Sequence, residues 1–420
     1  LAEKPAKGSW KIFRRFNEEF GFVIGNVFIL LAVWAFTDFA HLLPDTYYSL
    51  YVESLGGSPL IIGSILSASW FAMAFLQLAG GYWADKRGRK ALIVGASFAR
   101  TLIYLVFAAA PTWHFILLGE LLIGTVTIAQ PAMSALVADS LPPEKRGLGY
   151  SLSMLAGVTS ILSPVVAGIL CLKYGLVAGM RMAYIIVSIC WLISGIMLLK
   201  LKETVKTERA GFSPSEFLKE YPKAFRECIT VWRFLPKAML YLFLIFTPLM
   251  FFVRMCIPYY VLYANKVLGV DELQWAVLQT VNSITFYCSL LPVGKMVDKI
   301  GRKKPLIFSS ISGALAMALF LHGNPVGLYA FSVFSAICNV LVFTAYPSLQ
   351  ADLTPKEYRG KLLGFSNFID CLLGSAALLL GGFLYETTSK MAPFLLLLIA
   401  MASTAVATAI FVTEPKVKQS

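Results

Sequence analysis

Long runs of apolar residues, cut by charged residues and by Pro and Gly, recur near 24–48, 59–83, 91–110, 112–138, 147–172 and 179–200, and again near 237–264, 272–297, 305–322, 325–350, 361–385 and 391–413. A helix needs roughly 20 such residues to cross the hydrocarbon core of a bilayer. Lipid offers no hydrogen-bond partners, so each crossing segment must satisfy its own backbone, which a helix does. The pattern predicts an all-α membrane protein with twelve transmembrane helices. The predicted organisation is a tail over 1–23, a six-helix bundle over 24–200, a linker over 201–236, a second six-helix bundle over 237–413 and a tail over 414–420. Within the linker, Ser213-Pro214-Ser215-Glu216 reads as a helix start, and Phe217, Tyr221, Phe225, Ile229 and Trp232 recur at helical spacing, which predicts an amphipathic helix on the inner leaflet.

Composition agrees with this class. Of the 420 residues, 58% are apolar and 14% are charged, against about 25% charged in soluble domains, which excludes an ordinary soluble enzyme. The net charge of +13 raises nucleic acid as a partner, but its distribution argues against one. Lys and Arg gather in alternate connections, and the opposite loops hold only Lys173, Arg181, Lys266 and Lys390. That asymmetry orients a multi-pass protein in a cell membrane with both termini and the linker cytoplasmic. The basic N-terminal stretch is interrupted by Trp10, Phe13 and Phe16 and reads as an interfacial tail, with no cleavable signal. Seven cysteines without paired spacing predict neither a metal site nor disulfides. With no nucleotide loop, metal-ligand cluster or nucleophile motif, neither a cofactor nor enzymatic activity is expected.

The two sets of six runs share one register. Gly81-Tyr82-Trp83-Ala84-Asp85-Lys86-Arg87-Gly88-Arg89-Lys90 returns as Gly294-Lys295-Met296-Val297-Asp298-Lys299-Ile300-Gly301-Arg302-Lys303. The same shift maps Leu55-Gly56 onto Leu268-Gly269, Ala138-Asp139 onto Ala351-Asp352, Arg146-Gly147 onto Arg359-Gly360, and Gly168 onto Gly381. A parallel internal repeat predicts two pseudo-symmetric bundles with a site between them near mid-membrane. Across all twelve helices the chain resembles the major facilitator superfamily of secondary transporters. The resemblance is most specific in the loop after the second helix, where the family pattern Gly-x-Leu-Ala-Asp-Arg-x-Gly-Arg-Lys is met with Trp83 and Lys86 as departures. Gly81 and Gly88 would permit a tight turn, while Arg89 and its basic neighbours would hold the loop at the headgroups. The resemblance implies that Asp85 latches the halves at the cytoplasmic face against the start of the eleventh helix, with a partner such as Arg146. Asp298, Arg302, Asp352 and Arg359 would be the pseudo-symmetric set.

Ionisable groups inside a span cost about 2.5–3.5 kcal/mol each on insertion scales, so each one here is a functional candidate. Asp38, His41 and Asp45 fall at i, i+3 and i+7 of the first helix, on one face with Tyr48, and Pro44 should kink that helix. They read as a proton-titratable stripe, with His41 the natural pH-sensitive member, or, for Asp45 above all, as a polar face near the outer mouth. The repeat places Arg254 at the position of His41. There it would bind an anion or hold Asp38 or Asp370 as counter-ion. Asn367, Asp370 and Gly374 repeat the spacing on the eleventh helix. Glu120 and Arg100 reach similar mid-membrane depths on adjacent helices, so that Glu120 either pairs with Arg100 and neutralises it or itself carries a proton. By resemblance, Glu120-Leu121-Leu122-Ile123-Gly124 overlays the Arg-x-x-Gln-Gly of proton-coupled members, with the Arg and Gln replaced. Ser163-Pro164-Val165-Val166-Ala167-Gly168 looks like a degraded Gly-Pro-x-x-Gly-Gly antiporter signature. The expected function is proton-coupled export of amphipathic or lipophilic small molecules by a monomer in contact with membrane lipid. Asp38, His41, Glu120 and Asp370 are the proton candidates; Asp45, Arg100, Arg254 and Asn367 are the substrate or counter-ion candidates. The alternative, a symporter or facilitator of an organic anion or other small metabolite, is favoured if Arg254, His41 and Arg100 face the cavity unpaired.

Overall fold

The computed structural model describes residues 21–142, 145–204, 230, 235–355 and 358–414 and, within them, the backbone alone at 77–87, 146, 147 and 361. The linker helix expected over 201–236 and the interfacial tail over 1–23 fall almost wholly outside the described residues. Among the described residues all regular structure is helical. Twelve helices are long and apolar enough to cross a membrane: Asn26–Asp45, Pro59–Leu76, Arg89–Ala109, Trp113–Ser140, Leu148–Tyr174, Leu176–Leu198, Lys237–Lys266, Glu272–Ile300, Lys303–His322, Pro325–Leu353, Leu362–Thr387 and Ala392–Phe411, spans 1 to 12 in order. They match the twelve apolar runs, with ends moved by a few residues where local chemistry, not hydropathy, sets the stop. Span 8 begins at a capping box in which Asp271 and Gln274 satisfy each other's backbone N–H. It runs to Ile300, where Gly301 takes a φ of 89° that a side chain would strain. Gly88 takes the same φ of 89° between the helix of span 2, which continues to Arg87, and span 3, so the sequence repeat is also a conformational repeat. Gly81 sits inside the helix Pro59–Arg87 and does not help form the turn expected there, which Gly88 makes alone.

The halves break their first helices at equivalent places. Span 1 stops at Asp45, just past Pro44, and the chain resumes as a short helix, Tyr48–Ser54. Span 7 passes through a tight turn at Ile257–Tyr259, around Pro258, before resuming as Tyr260–Lys266. A proline removes a donor and displaces the carbonyls before it, leaving acceptors that lipid cannot satisfy. Each break is satisfied by the other half. Trp275 donates its indole N–H to the Thr46 carbonyl at 3.1 Å, and the Ser49 hydroxyl donates to the Pro258 carbonyl at 2.6 Å.

These bonds belong to a clasp that closes one end of the molecule, the end away from the Gly88 and Gly301 turns. Spans 2 and 11 meet there at backbone distance, because a Cβ on Gly63 would lie 2.5 Å from the Leu378 carbonyl oxygen. Ser67 and Ser375 are hydrogen-bonded at 2.9 Å, Glu386 accepts from the Leu60 N–H at 2.7 Å, and Lys266 reaches Glu53 at 3.2 Å. On the other side of the molecule, span 5 packs on span 8, where Gly168 lies against Ala276. Below the clasp the walls part around a central cavity.

Candidate functional site

The cavity has a volume of about 860 Å³ and draws its walls from both halves. It runs from the Thr46 and Pro258 breaks to Ile93, near the start of span 3, and Leu198, at the end of span 6. Its length therefore extends from the clasp toward the face bearing the Gly88 and Gly301 turns, called below the basic face. Asp38, His41 and Asp45 all line it, as their common helix face requires, and Tyr48 joins them from the short helix beyond the break. The His41 Nδ1 is 3.2 Å from Asp45 Oδ2, and these side chains are 70% and 50% exposed, so the pair is wetted by the cavity. Asp38 stands apart from that pair. It also lines a side pocket of about 320 Å³ with Ser160, Gln279, Asn282 and Tyr287, at the seam of spans 1, 5 and 8. Gly157 makes the seam possible: a Cβ there would lie 2.7 Å from Asp38 Oδ2 and 2.8 Å from the Tyr287 hydroxyl. Ser160 and Tyr287 share a hydrogen bond of 3.1 Å across the two halves. Among the described residues Asp38 has no ion pair.

Glu120 and Arg100 both line the cavity but do not meet, so the first of the two alternatives drawn from their depths, the pair, does not form here. Glu120 faces Tyr48 and Ser69, and its backbone carbonyl accepts from the Ser69 hydroxyl at 2.9 Å. The Tyr48 hydroxyl lies beside the Glu120 carboxyl without a hydrogen bond of normal geometry. Arg100 lies with its guanidinium 4.5 Å from the centre of the Trp191 ring. Depth along the axis fixed the height of each charge; rotation about the axis, about 100° per residue, turned them to different neighbours.

In the second half, Arg254 pairs with Asp370 at 3.4 Å and lies 4.5 Å over the Trp70 ring. Of the two counter-ions weighed for it, Asp370 is therefore the one the fold supplies. Arg254 lines the cavity, whereas Asp370 stands behind it. Asn367 is exposed but lies outside the cavity wall, being three residues and about 60° of helix rotation from Asp370. The polar residues Gln279, Asn282, Ser335 and Asn339 complete the second wall. A search of the apolar runs for uncharged amides would have found Gln279, Asn282 and Asn339. Nothing in the sequence singles out Tyr287, Gly157 or Trp191, because their roles depend on which spans pack together.

At the basic face, Arg89 forms an ion pair with Asp139 and donates to the Thr204 hydroxyl at 3.1 Å. The second half repeats this in register, with Arg302 3.1 Å from Asp352 and 3.6 Å from Asp298. Arg359 reaches backbone acceptors. Its guanidinium donates to the carbonyls of Ala351 at 2.9 Å and Thr354 at 3.1 Å, satisfying the open C-terminal turn of span 10. The side chains of Asp85 and Arg146, and any latch between them, lie outside the described ones. Two carboxylates missed in the sequence complete the pattern: Glu203 accepts from the Lys90 N–H, and Glu414 accepts from the N–H groups of Arg302 and Lys303. Each sits just past the last span of its half and caps the positive start of that half's third span.

Comparison with known proteins agrees with this architecture. The chain is 27% identical over 281 residues to the multidrug resistance protein MdtG of Enterobacter lignolyticus, a match covering 64% of each chain and so less than two thirds of that relative's length. It is 25% identical over 332 residues to the multi-drug resistance efflux pump PmrA of Streptococcus pneumoniae, covering 76% of this chain and 79% of that one. Among solved structures, a mutant of the nucleoside transporter NupG superposes with a TM-score of 0.71 at 16% identity, covering 92% of this chain and 100% of that one. A bacterial homologue of the lysosomal transporter Spinster, in an inward-facing and unoccupied conformation, superposes with a TM-score of 0.66 at 15% identity, covering 92% and 94%. The family model of the Major Facilitator Superfamily matches residues 22–278 and 242–420, and the chain belongs to that superfamily.

Proposed function

We propose that the protein exports amphipathic or lipophilic small molecules in exchange for protons, by rocking two bundles about the central cavity. The basic face is assigned to the cytoplasm by the charge asymmetry of the loops. On that orientation the clasp closes the outer side and the cavity belongs to an inward-open state. The observation that carries the reading is the placement of Asp38: a carboxylate without an ion partner among the described residues, open to the cavity, beside Gly157 and Tyr287 where the halves meet. A proton gained or lost there changes the charge at the seam itself, so it alters the relative stability of the states the halves adopt. Glu120 is the second proton candidate. Asp370 and Asp45 are instead assigned as counter-ions, of Arg254 and His41. The walls mix aromatic, methionine and polar side chains around a volume suited to drug-sized compounds. The likeness to the multidrug resistance protein MdtG and the multi-drug resistance efflux pump PmrA supports export. The organic-anion alternative required three unpaired cations; Arg254 is paired with Asp370 and His41 with Asp45, which leaves Arg100 alone.

The test is transport in proteoliposomes under an imposed pH gradient, against a panel of amphipathic acids, neutral esters and amines. Wild-type protein should move at least one class against its gradient only when the pH gradient is present; rates indifferent to the gradient refute proton coupling. Asp38→Asn should lower gradient-driven transport about a hundredfold, the scale expected for losing a proton-transfer group, while leaving counterflow exchange measurable. Unchanged coupling in that variant removes Asp38 from the mechanism.

A further inference from the structure

Span 3 presents Ile93, Ala96, Ser97, Arg100, Tyr104 and Phe107 to the cavity along one face, and Arg100 is the single charge in that stripe. Arginine stays protonated at any physiological pH, so this site is permanently cationic. The other cavity cations are occupied, His41 by Asp45 and Arg254 by Asp370. Among the described residues Arg100 has neither an acidic partner nor a hydrogen-bond acceptor; its neighbour is the Trp191 ring. Stacking engages the flat face of a guanidinium and leaves its edge, a fork of N–H donors, free. The charged and titratable groups nearby are His41, Tyr104, Asp45 and Glu120, and none of them hydrogen-bonds that fork. The backbone at Trp191 is tied to span 3, because its carbonyl accepts from the Ser97 hydroxyl at 3.1 Å. The guanidinium therefore faces the cavity beside an aromatic wall, with no acidic partner among the described residues, at a depth where a charge calls for a partner, a wetted cavity or a function.

We propose that Arg100 is the head-group receptor of the cavity, and that the transported compound is an amphipathic carboxylate whose oxygens take the free edge of the guanidinium while its apolar body lies along the aromatic wall. A carboxylate matches the fork in a bidentate manner, and the Trp191 ring beside it offers an apolar surface to the body of the compound. This assignment rests on the transport reading above but concerns binding alone, so it is tested at equilibrium without a gradient. Failure of proton coupling or of export direction leaves it standing, and its own failure leaves them standing.

The experiment uses the purified full chain in neutral detergent and two probe series, naphthylacetic acid with its methyl ester and naphthylethylamine, and decanoic acid with methyl decanoate and decylamine. Binding is read by calorimetric titration and by thermal shift. The acid of at least one series should bind tenfold or more tightly than its ester. Arg100→Gln should weaken acid binding about ten- to a hundredfold, the range for a charged hydrogen-bonded group, and change ester binding less than twofold. Arg100→Lys should retain part of the preference, because it keeps the charge and loses the fork. If Arg100→Gln does not fold, the wild-type acid-to-ester ratio and the loss of acid affinity in Trp191→Leu decide the matter. The proposal is overturned if no acid binds, if acid and ester bind alike, if amines bind more tightly than acids, or if the variants leave the acid preference intact. Displacement of the acids by phosphatidylglycerol at equal concentration would assign the site to a lipid headgroup and overturn the small-carboxylate assignment.

Discussion

The two halves of this transporter share a frame and differ in what they put into the cavity. At the basic face, Arg89 with Asp139 and Arg302 with Asp352 occupy matching positions, and Glu203 and Glu414 cap matching helices. Twenty or so ångströms into the bundle, about fourteen residues of helix, the likeness ends. The first half lines the cavity with Asp38, the His41–Asp45 pair, Glu120 and Arg100, while the second offers neutral amides and an arginine closed on its own aspartate. The repeated parts are those of the frame, and the wall chemistry has diverged. The titratable side chains of the cavity are concentrated in the first half, facing a largely neutral second wall.

The largest expected effect comes from opening the pair that the second half keeps closed. Asp370→Asn and Arg254→Gln each strand a charge, and with side chains 33% and 36% exposed each should cost about 2 kcal/mol, less than a fully buried pair. The double variant should recover more than half of that in thermal unfolding; strictly additive losses would show that the pair contributes nothing as a unit. A smaller effect is expected from joining two charges that the first half keeps apart. Glu120→Gln and Arg100→Gln should combine additively, with a coupling below about 0.5 kcal/mol. A larger coupling in thermal unfolding would mean that the two meet in the state that dominates in solution. The smallest is a difference within the shared frame: Arg89→Ala and Arg302→Ala, with side chains 11% and 12% exposed, should lower stability by amounts within about 1 kcal/mol of each other. A several-fold difference between them would break the symmetry claimed for the basic face.

The fold was legible in the sequence because lipid imposes a length and a polarity on every span, and because Gly88 and Gly301 keep one register for a backbone shape that favours glycine. Charged residues inside the spans were legible for the same reason: a penalty marks them. Their partners were not. Which neighbour Arg100 meets depends on the rotation of span 3 and on the placement of span 6, and neither leaves a local trace. The same holds for Arg359, whose acceptors are backbone carbonyls and carry no residue type to recognise. The Asp38 seam required Gly157, Ser160 and Tyr287 to converge from two helices in different halves, a juxtaposition made only by packing.

Glu203 reaches back to the head of span 3 before the chain departs for the second bundle, and Glu414 does the same after span 12. Each half is thus a knotted-off parcel, its last turn stitched to its middle. Losing either carboxylate would loosen one parcel and leave the other tied, so the two are secured independently.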